Sequence, residues 1–330
     1  MKDILNRLIN NQILSRDEAK EVLTGLATGQ YNNSQIASFL TVYLMRAIRV
    51  EELEGFRDAM LELCNPVGLE GYNAIDVCGT GGDGKNTFNI STISSFIVAG
   101  AGVNVAKHGN YGVSSISGSS NVLEYLGVKF SGDAGQMKRS MDKSGICFMH
   151  APLFHPAMKN VGPIRKELGV KTFFNMLGPM VNPAFPPNQL VGVFSLELAR
   201  LYGYLYQNTT KNFSIVHSLD GYDEVSLTGN FKLISNETEA LISPEDLGFS
   251  ILNQEQLHGG ETIEEAAEIF SKILGNEGSE AQNHAVLSNA GLAISTVKQT
   301  PFISGIQEAK EALSSGKALQ SFKNFLSINN

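Results

Sequence analysis

The stretch GTGGDGKNTFNIST, residues 79 to 92, limits what this chain can fold into more than any other. It follows AIDVCG, a short apolar run that reads as a buried strand, so a strand must deliver the chain straight into a loop rich in glycine. Glycines without Cβ atoms let backbone N–H groups close around anionic oxygens, and a helix start expected after Ser91 and Thr92 adds a favourable dipole. The same step then repeats. VNVAKHG predicts a second strand, and KHGNYGVSSISGSSNVLE, residues 107 to 124, a second polar loop. There Lys107 supplies a fixed charge, while Asn110, Ser114, Ser115 and Ser119 supply neutral donors suited to phosphate and ribose oxygens. Taken singly, Lys107 reads as a solvated lysine and the serines as a helix cap at Ser117. Taken together they favour a site, because the carboxyl ends of neighbouring strands in an open α/β sheet share one crevice.

Further strands are expected at GICFMHA, QLVGVFS, FSIVHSL and FKLIS, with helices around 119 to 126, 135 to 144, 196 to 207 and 262 to 274. That alternation predicts an α/β fold with a mainly parallel central sheet. The first seventy residues read differently, as helices only. Ser15 with Glu18 forms a capping box ahead of Ala19, Val22, Leu23 and Leu26, and Gly29 marks the stop. Ile36, Phe39, Leu40, Tyr43 and Leu44 make the stripe of a second helix; Leu53, Phe56, Met60 and Leu61 make that of a third. Thr262 and Glu265 box the start of a late helix with the stripe Ile263, Ala266, Ala267, Phe270, Ile273 and Leu274. The expectation is a small helical N-terminal domain over 1 to 70 and a large α/β domain over 71 to 330.

Composition narrows the function. Lys and Arg number 25 against 33 Asp and Glu, a net charge of −8 that argues against nucleic acid as a partner. Cys64, Cys78 and Cys147 are odd in number and lack CxxC spacing, which indicates neither a disulfide framework nor a thiolate zinc site. No apolar run approaches the ~20 residues of a membrane span, and MKDILNRLINNQ is too polar for a signal peptide, so the chain reads as cytoplasmic and reduced, with no membrane partner. Gly79, Gly81 and Gly84 also satisfy GxGxxG, but the next strand ends in Lys107 and His108 where a dinucleotide fold needs a ribose-binding carboxylate. Asp223 and Glu224, in SLDGYDEVS, are adjacent hard oxygen ligands that suit magnesium, with a charged turn as the plain alternative.

Several longer motifs fall in order: GTGGD at 79 to 83, NxST at 89 to 92, KHGN at 107 to 110, SGS at 117 to 119, HPAMKNVGPIRKELG at 155 to 169, FNMLGPMVNP at 174 to 183 and DGYDE at 220 to 224. Over nearly its whole length the chain resembles the anthranilate phosphoribosyltransferase family. The resemblance implies an active site in the hinge cleft between a helical and an α/β domain, a homodimer, and a later segment near 165 to 185 that joins the helical domain. Its substrates would be 5-phosphoribosyl 1-pyrophosphate and anthranilate, with Mg2+ as cofactor.

Carried over by position, the resemblance assigns the phosphoribosyl pyrophosphate to Gly79, Gly82, Asp83, Thr87, Asn89, Ile90, Ser91, Thr92, Lys107, His108, Gly109, Asn110, Ser114, Ser115 and Ser119. It assigns anthranilate to Gly79, Asn110 and Arg165, the last because a guanidinium forks onto a carboxylate. Magnesium goes to Ser91, Asp223 and Glu224, and the catalytic roles to Lys107, His108, Asn110 and Arg165. The chain departs from the family pattern at Tyr111, Asn121 and Lys171, where arginine, aspartate and arginine are usual. Other enzymes compete as readings: a pyrimidine nucleoside phosphorylase, a related phosphoribosyltransferase with a different aromatic acceptor, and an NADP oxidoreductase. A catalytically silent binding homologue is the non-enzyme alternative.

Overall fold

A computed structural model describes residues 1 to 112 and 116 to 330. The chain divides into two compact units, one formed by Met1–Pro66 with Ala151–Pro183 and the other by Val67–His150 with Ala184–Asn330. The segment that returns to the first unit therefore starts at Ala151, earlier than the expected 165.

The second unit is built on a seven-stranded sheet in the order β3-β2-β1-β4-β5-β6-β7. Its strands are β1 Ile75–Gly79, β2 Val105–Gly109, β3 Ile146–His150, β4 Asn188–Gly192, β5 Asn212–Ser218, β6 Phe231–Ser235 and β7 Glu239–Ile242. The first five neighbours run parallel, whereas β6 and β7 close one edge antiparallel. Strands β3 and β4 are buried along their whole length, as expected of parallel strands covered on both faces. The helix Ile90–Gly100 follows β1 and packs against the late helices Glu280–Lys298 and Lys317–Asn329, so Ile93, Phe96 and Ile97 enter the main core. Order reverses at β1, with β2 on one side and β4 on the other, which puts the ends of these three strands at the topological switch point of the sheet.

The first unit has its own core. In the helix Arg16–Ala27 the capping box is complete: the Glu18 N–H donates to Ser15 Oγ at 3.3 Å and the Ser15 N–H to Glu18 Oε2 at 2.9 Å. Such a cap stabilises a helix start by about 1 kcal/mol. Phe39, Tyr43 and Phe56, from the helices Asn33–Met45 and Val50–Glu62, cluster with Phe173 of the returning segment, and Phe56 stacks on Phe173 at 4.5 Å between centroids. Each well-placed ring pair adds about 0.5–1.5 kcal/mol beyond area burial. The returning segment is thus held by apolar packing.

Four local expectations change. Leu44 is 45% exposed and lies off the stripe, because the apolar face has rotated towards Tyr43 by the helix end. Ser91 and Thr92 sit inside the first turn of the helix Ile90–Gly100, which Asn89 precedes as the capping residue. Thr262 does cap the helix Ile263–Leu274 through the Glu265 N–H, but Glu265 Oε2 accepts from the Glu261 N–H, so the box is only half made. Finally β4 stops at Gly192, so the predicted VFS extension to residue 195 leaves the sheet.

Candidate active site

The first glycine loop leaves β1 at Gly79 and turns through Gly81, Gly82 and Gly84, at φ +66°, +78° and +76°. These left-handed values are open to glycine at no steric cost. The loop then settles against a remote segment. The Phe88 N–H donates to the Leu257 carbonyl at 3.0 Å, the Gly259 N–H to the Asn86 carbonyl at 2.8 Å, and Thr87 forms an isolated antiparallel bridge with His258. Asn89 turns its side chain away from the helix it precedes and donates Nδ2 to the Ser117 carbonyl at 3.1 Å, tying the first polar loop to the second. Its Oδ1 is buried and has no partner among the described residues. Ile90 and Thr92 are buried in the first helical turn, and Ser91 between them is half-buried.

Lys107 rises from β2 into this region and is 2% exposed. Its ammonium donates to the Val77 carbonyl at 2.5 Å and to Ser91 Oγ at 3.4 Å. Burial pushes the ammonium down from its ordinary pKa, opposed by the nearby Cys78, Asp76 and Glu224. His108 is buried, and its backbone N–H donates to Asp76 Oδ1 at 3.2 Å. Gly109 packs against Ser119 and the ring of Phe148, a contact that a Cβ would violate. The Asn110 carbonyl accepts from the Ser120 N–H at 3.1 Å and from Ser119 Oγ at 3.3 Å, so this strand end is folded onto the start of the helix Ser119–Tyr125. Ser114 and Ser115 lie outside the described residues.

Two of the residues that depart from the family pattern, Tyr111 and Asn121, are integrated into the same loop, whereas Lys171 lies exposed in the other unit. Asn121 Oδ1 accepts from the Gly112 N–H at 2.9 Å and the Gly118 N–H at 3.0 Å, the acceptor work a carboxylate would do. Tyr111 places its hydroxyl 3.2 Å from Glu124 Oε1 and its ring edge-on to His150 at 4.8 Å.

Asp223 and Glu224 follow β5 and are carried back over the ends of β1 and β4. Asp223 accepts from the Gly81 N–H at 2.6 Å and Glu224 from the Ser91 N–H at 3.3 Å. Two strand-end glycines make the room: a Cβ at Gly79 would lie 2.3 Å from Asp223 Oδ2, and one at Gly192 only 1.5 Å from the Asp223 carbonyl oxygen. Burial, then the charges of Asp83 and Glu224, push the Asp223 carboxyl well above the ordinary carboxylate range. Burial also lifts Glu224, to about 7, against the pull of Lys107 and Ser91. A buried and a half-buried carboxylate, both lifted in this way, suit a hard divalent cation. Among the described residues no three acidic, His or Cys side chains converge as a complete metal cage, so any cation would need oxygens from elsewhere, such as Ser91 or a diphosphate.

Arg165 belongs to the other unit, on the helix Met158–Leu168. Far from being an exposed helix charge, it is half-buried over the ring of Phe174 and donates to Asn175 Oδ1 at 3.2 Å. Its Nε is buried without a partner among the described residues.

Sequence reasoning missed Gly192, whose need for a bare Cα depends on a residue 31 positions further along, and the segment around Leu257 that pins the glycine loop. A glycine ending an apolar strand was the available sign for the first. Nothing local marks the second.

The family model described as "Glycosyl transferase family, helical bundle domain" matches residues 2–64, and "Glycosyl transferase family, a/b domain" matches residues 71–319. Anthranilate phosphoribosyltransferase of Christiangramia forsetii is 65% identical over 98% of each chain. The crystal structure of the Thermus thermophilus enzyme of that name superposes with a TM-score of 0.92 at 32% identity, covering 98% of both chains. The Saccharomyces cerevisiae enzyme, solved in complex with PRPP and Mg, gives a TM-score of 0.89 at 25% identity over 98% of this chain and 96% of that one. With both domain models matched in order and full-length identity at this level, the chain belongs to the anthranilate phosphoribosyltransferase family.

Proposed function

We propose that the protein transfers the 5-phosphoribosyl group of 5-phosphoribosyl 1-pyrophosphate to the amine of anthranilate, releasing pyrophosphate, the second step from chorismate towards tryptophan. The observation that carries this reading is the under-compensated pair of buried Asp223 and half-buried Glu224, held beside a glycine loop at the switch point of the sheet. Such a pair has no use in a scaffold and a clear one next to a diphosphate.

In the mechanism, the anomeric C–O bond breaks early and charge grows on the departing diphosphate. The later part of the glycine loop, residues 82 to 84, and the Lys107 ammonium are assigned to that charge, stabilising it where it develops. Asp223, Glu224 and Ser91 would hold Mg2+, which when bound supplies Lewis-acid neutralisation of the diphosphate. Thr87, Asn89, Gly109 and Ser119 line the same two loops and are assigned to the donor with Gly82, Asp83, Ile90, Thr92, Ser114 and Ser115. An aromatic amine is weakly basic and requires no strong base before attack, so holding it in place matters most. Asn110, Gly79 and Arg165 are assigned that task, the guanidinium taking the anthranilate carboxylate. His108 is assigned late acceptance of the amine proton.

We further infer a cytoplasmic homodimer; among the described residues no helix is long and apolar enough to cross a membrane, which is compatible with that setting. The test is direct. Purified protein mixed with anthranilate, phosphoribosyl pyrophosphate and Mg2+ should lose anthranilate fluorescence, and omitting Mg2+ should stop the loss. Persistent fluorescence alongside phosphorolysis of thymidine or uridine would replace the reading with a nucleoside phosphorylase.

A further inference from the structure

The two strands that carry the phosphate loops lie side by side in the sheet but share one registered pair. β1 registers against β2 only at Ile75 with Val105, whereas β1 pairs with β4, and β2 with β3, along their full lengths. Beyond Ile75, two side chains link the strands. From β2, Lys107 donates to the Val77 carbonyl; from β1, Asp76 Oδ1 accepts the His108 N–H at 3.2 Å. Both side chains are buried, Asp76 at 0% and Lys107 at 2% exposure. The other carboxylate oxygen of Asp76 is met by the Cys78 thiol at 3.7 Å, and Gln189 of β4 donates to that sulfur at 3.4 Å. A polar strut thus runs from β4 through β1 to β2, directly below the donor loops.

An acceptor for one backbone N–H does not require a charge, and an isolated carboxylate in a sheet interior is strongly disfavoured. The buried ammonium of Lys107 on the neighbouring strand answers that charge, which in turn favours its charged form. We propose that Asp76 is a positioning residue for the transfer reaction: it fixes residues 107 to 110 through the His108 N–H and supplies the fixed counter-charge that keeps Lys107 aimed at Ser91. This rests on the reading that residues 107 to 110 hold the phosphoribosyl donor.

The test uses Asp76→Asn, which keeps the shape and the acceptor for His108 but removes the charge, together with Lys107→Met and the double variant. Two readouts are taken, the thermal unfolding midpoint and steady-state kinetics with both substrates varied. If Asp76 and Lys107 are charge partners, each single change lowers the midpoint and the double variant falls no further than the worse single. If Asp76 positions the donor end, Asp76→Asn loses at least tenfold in kcat/KM for phosphoribosyl pyrophosphate while KM for anthranilate stays within threefold. A merely structural carboxylate would not split the two substrates. Additive midpoints overturn the partnership, and unchanged donor kinetics in Asp76→Asn overturn the positioning role. A wild-type protein without transferase activity but with coupled midpoints would sink the proposed function and leave the strut standing.

Discussion

Each unit of this protein buries acidic side chains, and the two cases are built in opposite ways. In the helical unit Glu52 is 0% exposed and fully answered: it accepts from the Leu14 N–H, the Tyr43 hydroxyl and the Arg49 N–H, each at 3.0 Å, and pairs with the Arg46 guanidinium. In the α/β unit Asp223 and Glu224 crowd each other, each meeting a backbone N–H, and both are pushed towards protonation. Burial by itself is therefore no mark of a site. What separates scaffold from chemistry is whether the donors present balance the charge.

The comparison breaks most visibly in turnover. Asp223→Asn with Glu224→Gln is expected to lower kcat by roughly a thousandfold, as loss of a metal and its charge stabilisation does. The thermal midpoint should stay level or rise, since two unfavourable charges disappear. Wild-type turnover at saturating Mg2+ would remove both residues from the site. In the helical unit the prediction inverts. Glu52→Gln strands the Arg46 charge and should destabilise the protein by about 3 kcal/mol, read as a shift in urea unfolding. A loss below ~1 kcal/mol would mean that the four donors around Glu52 matter far less than their geometry suggests.

A smaller effect sharpens the same contrast. Mg2+ alone at ten to a hundred times its dissociation constant should stabilise the wild-type chain by about 1–3 kcal/mol and leave the Asp223→Asn, Glu224→Gln double variant unmoved. Equal shifts in both would place the ion elsewhere. Smallest of all is the surface case. Glu18 is drawn down to about 2 by the Arg7 guanidinium and then the Ser15 N–H. Its folded pKa lies below the unfolded one, so its contribution is complete above the ordinary carboxylate range and fades as pH falls towards 2. Glu18→Gln should flatten that acid limb slightly, because an exposed pair is well screened. A large flattening would contradict the exposure of the pair.

How much of this was readable beforehand follows from where each constraint lies along the chain. The capping box at Ser15, the stripes around Phe39 and Phe56, and both strand-to-loop steps are local patterns, and the structure contains them. The helix Glu280–Lys298 escaped notice because it is buried on most sides from residue 285 to 296, and so shows no polar face to set a period. Strand β7 alternates exposed and half-buried residues at a sheet edge, too short and too polar to announce itself. Nothing in the local pattern marks Glu52, since its partners Leu14 and Tyr43 come from other elements. At the site, the glycines and Lys107 were legible as residue types. Their geometry was not, because the side-chain links between β1 and β2 and the clearance at Gly192 are created by residues far away in sequence.

The pinning of residues 86 to 88 by the segment around Leu257 also bears on how the protein is made. Asn86 and His258, whose side chains approach to 3.2 Å, are 172 positions apart. Contacts of such long range form late, after the loop-closure entropy between them has been met. A chain still tethered to its ribosome can complete its helical start and its first βα steps while the clamp on the phosphate loop is yet to be synthesised. The grip on a scarce, reactive sugar diphosphate would then appear only near the end of synthesis, and an early-truncated product would carry the signature motifs of the family without the means to hold them in shape.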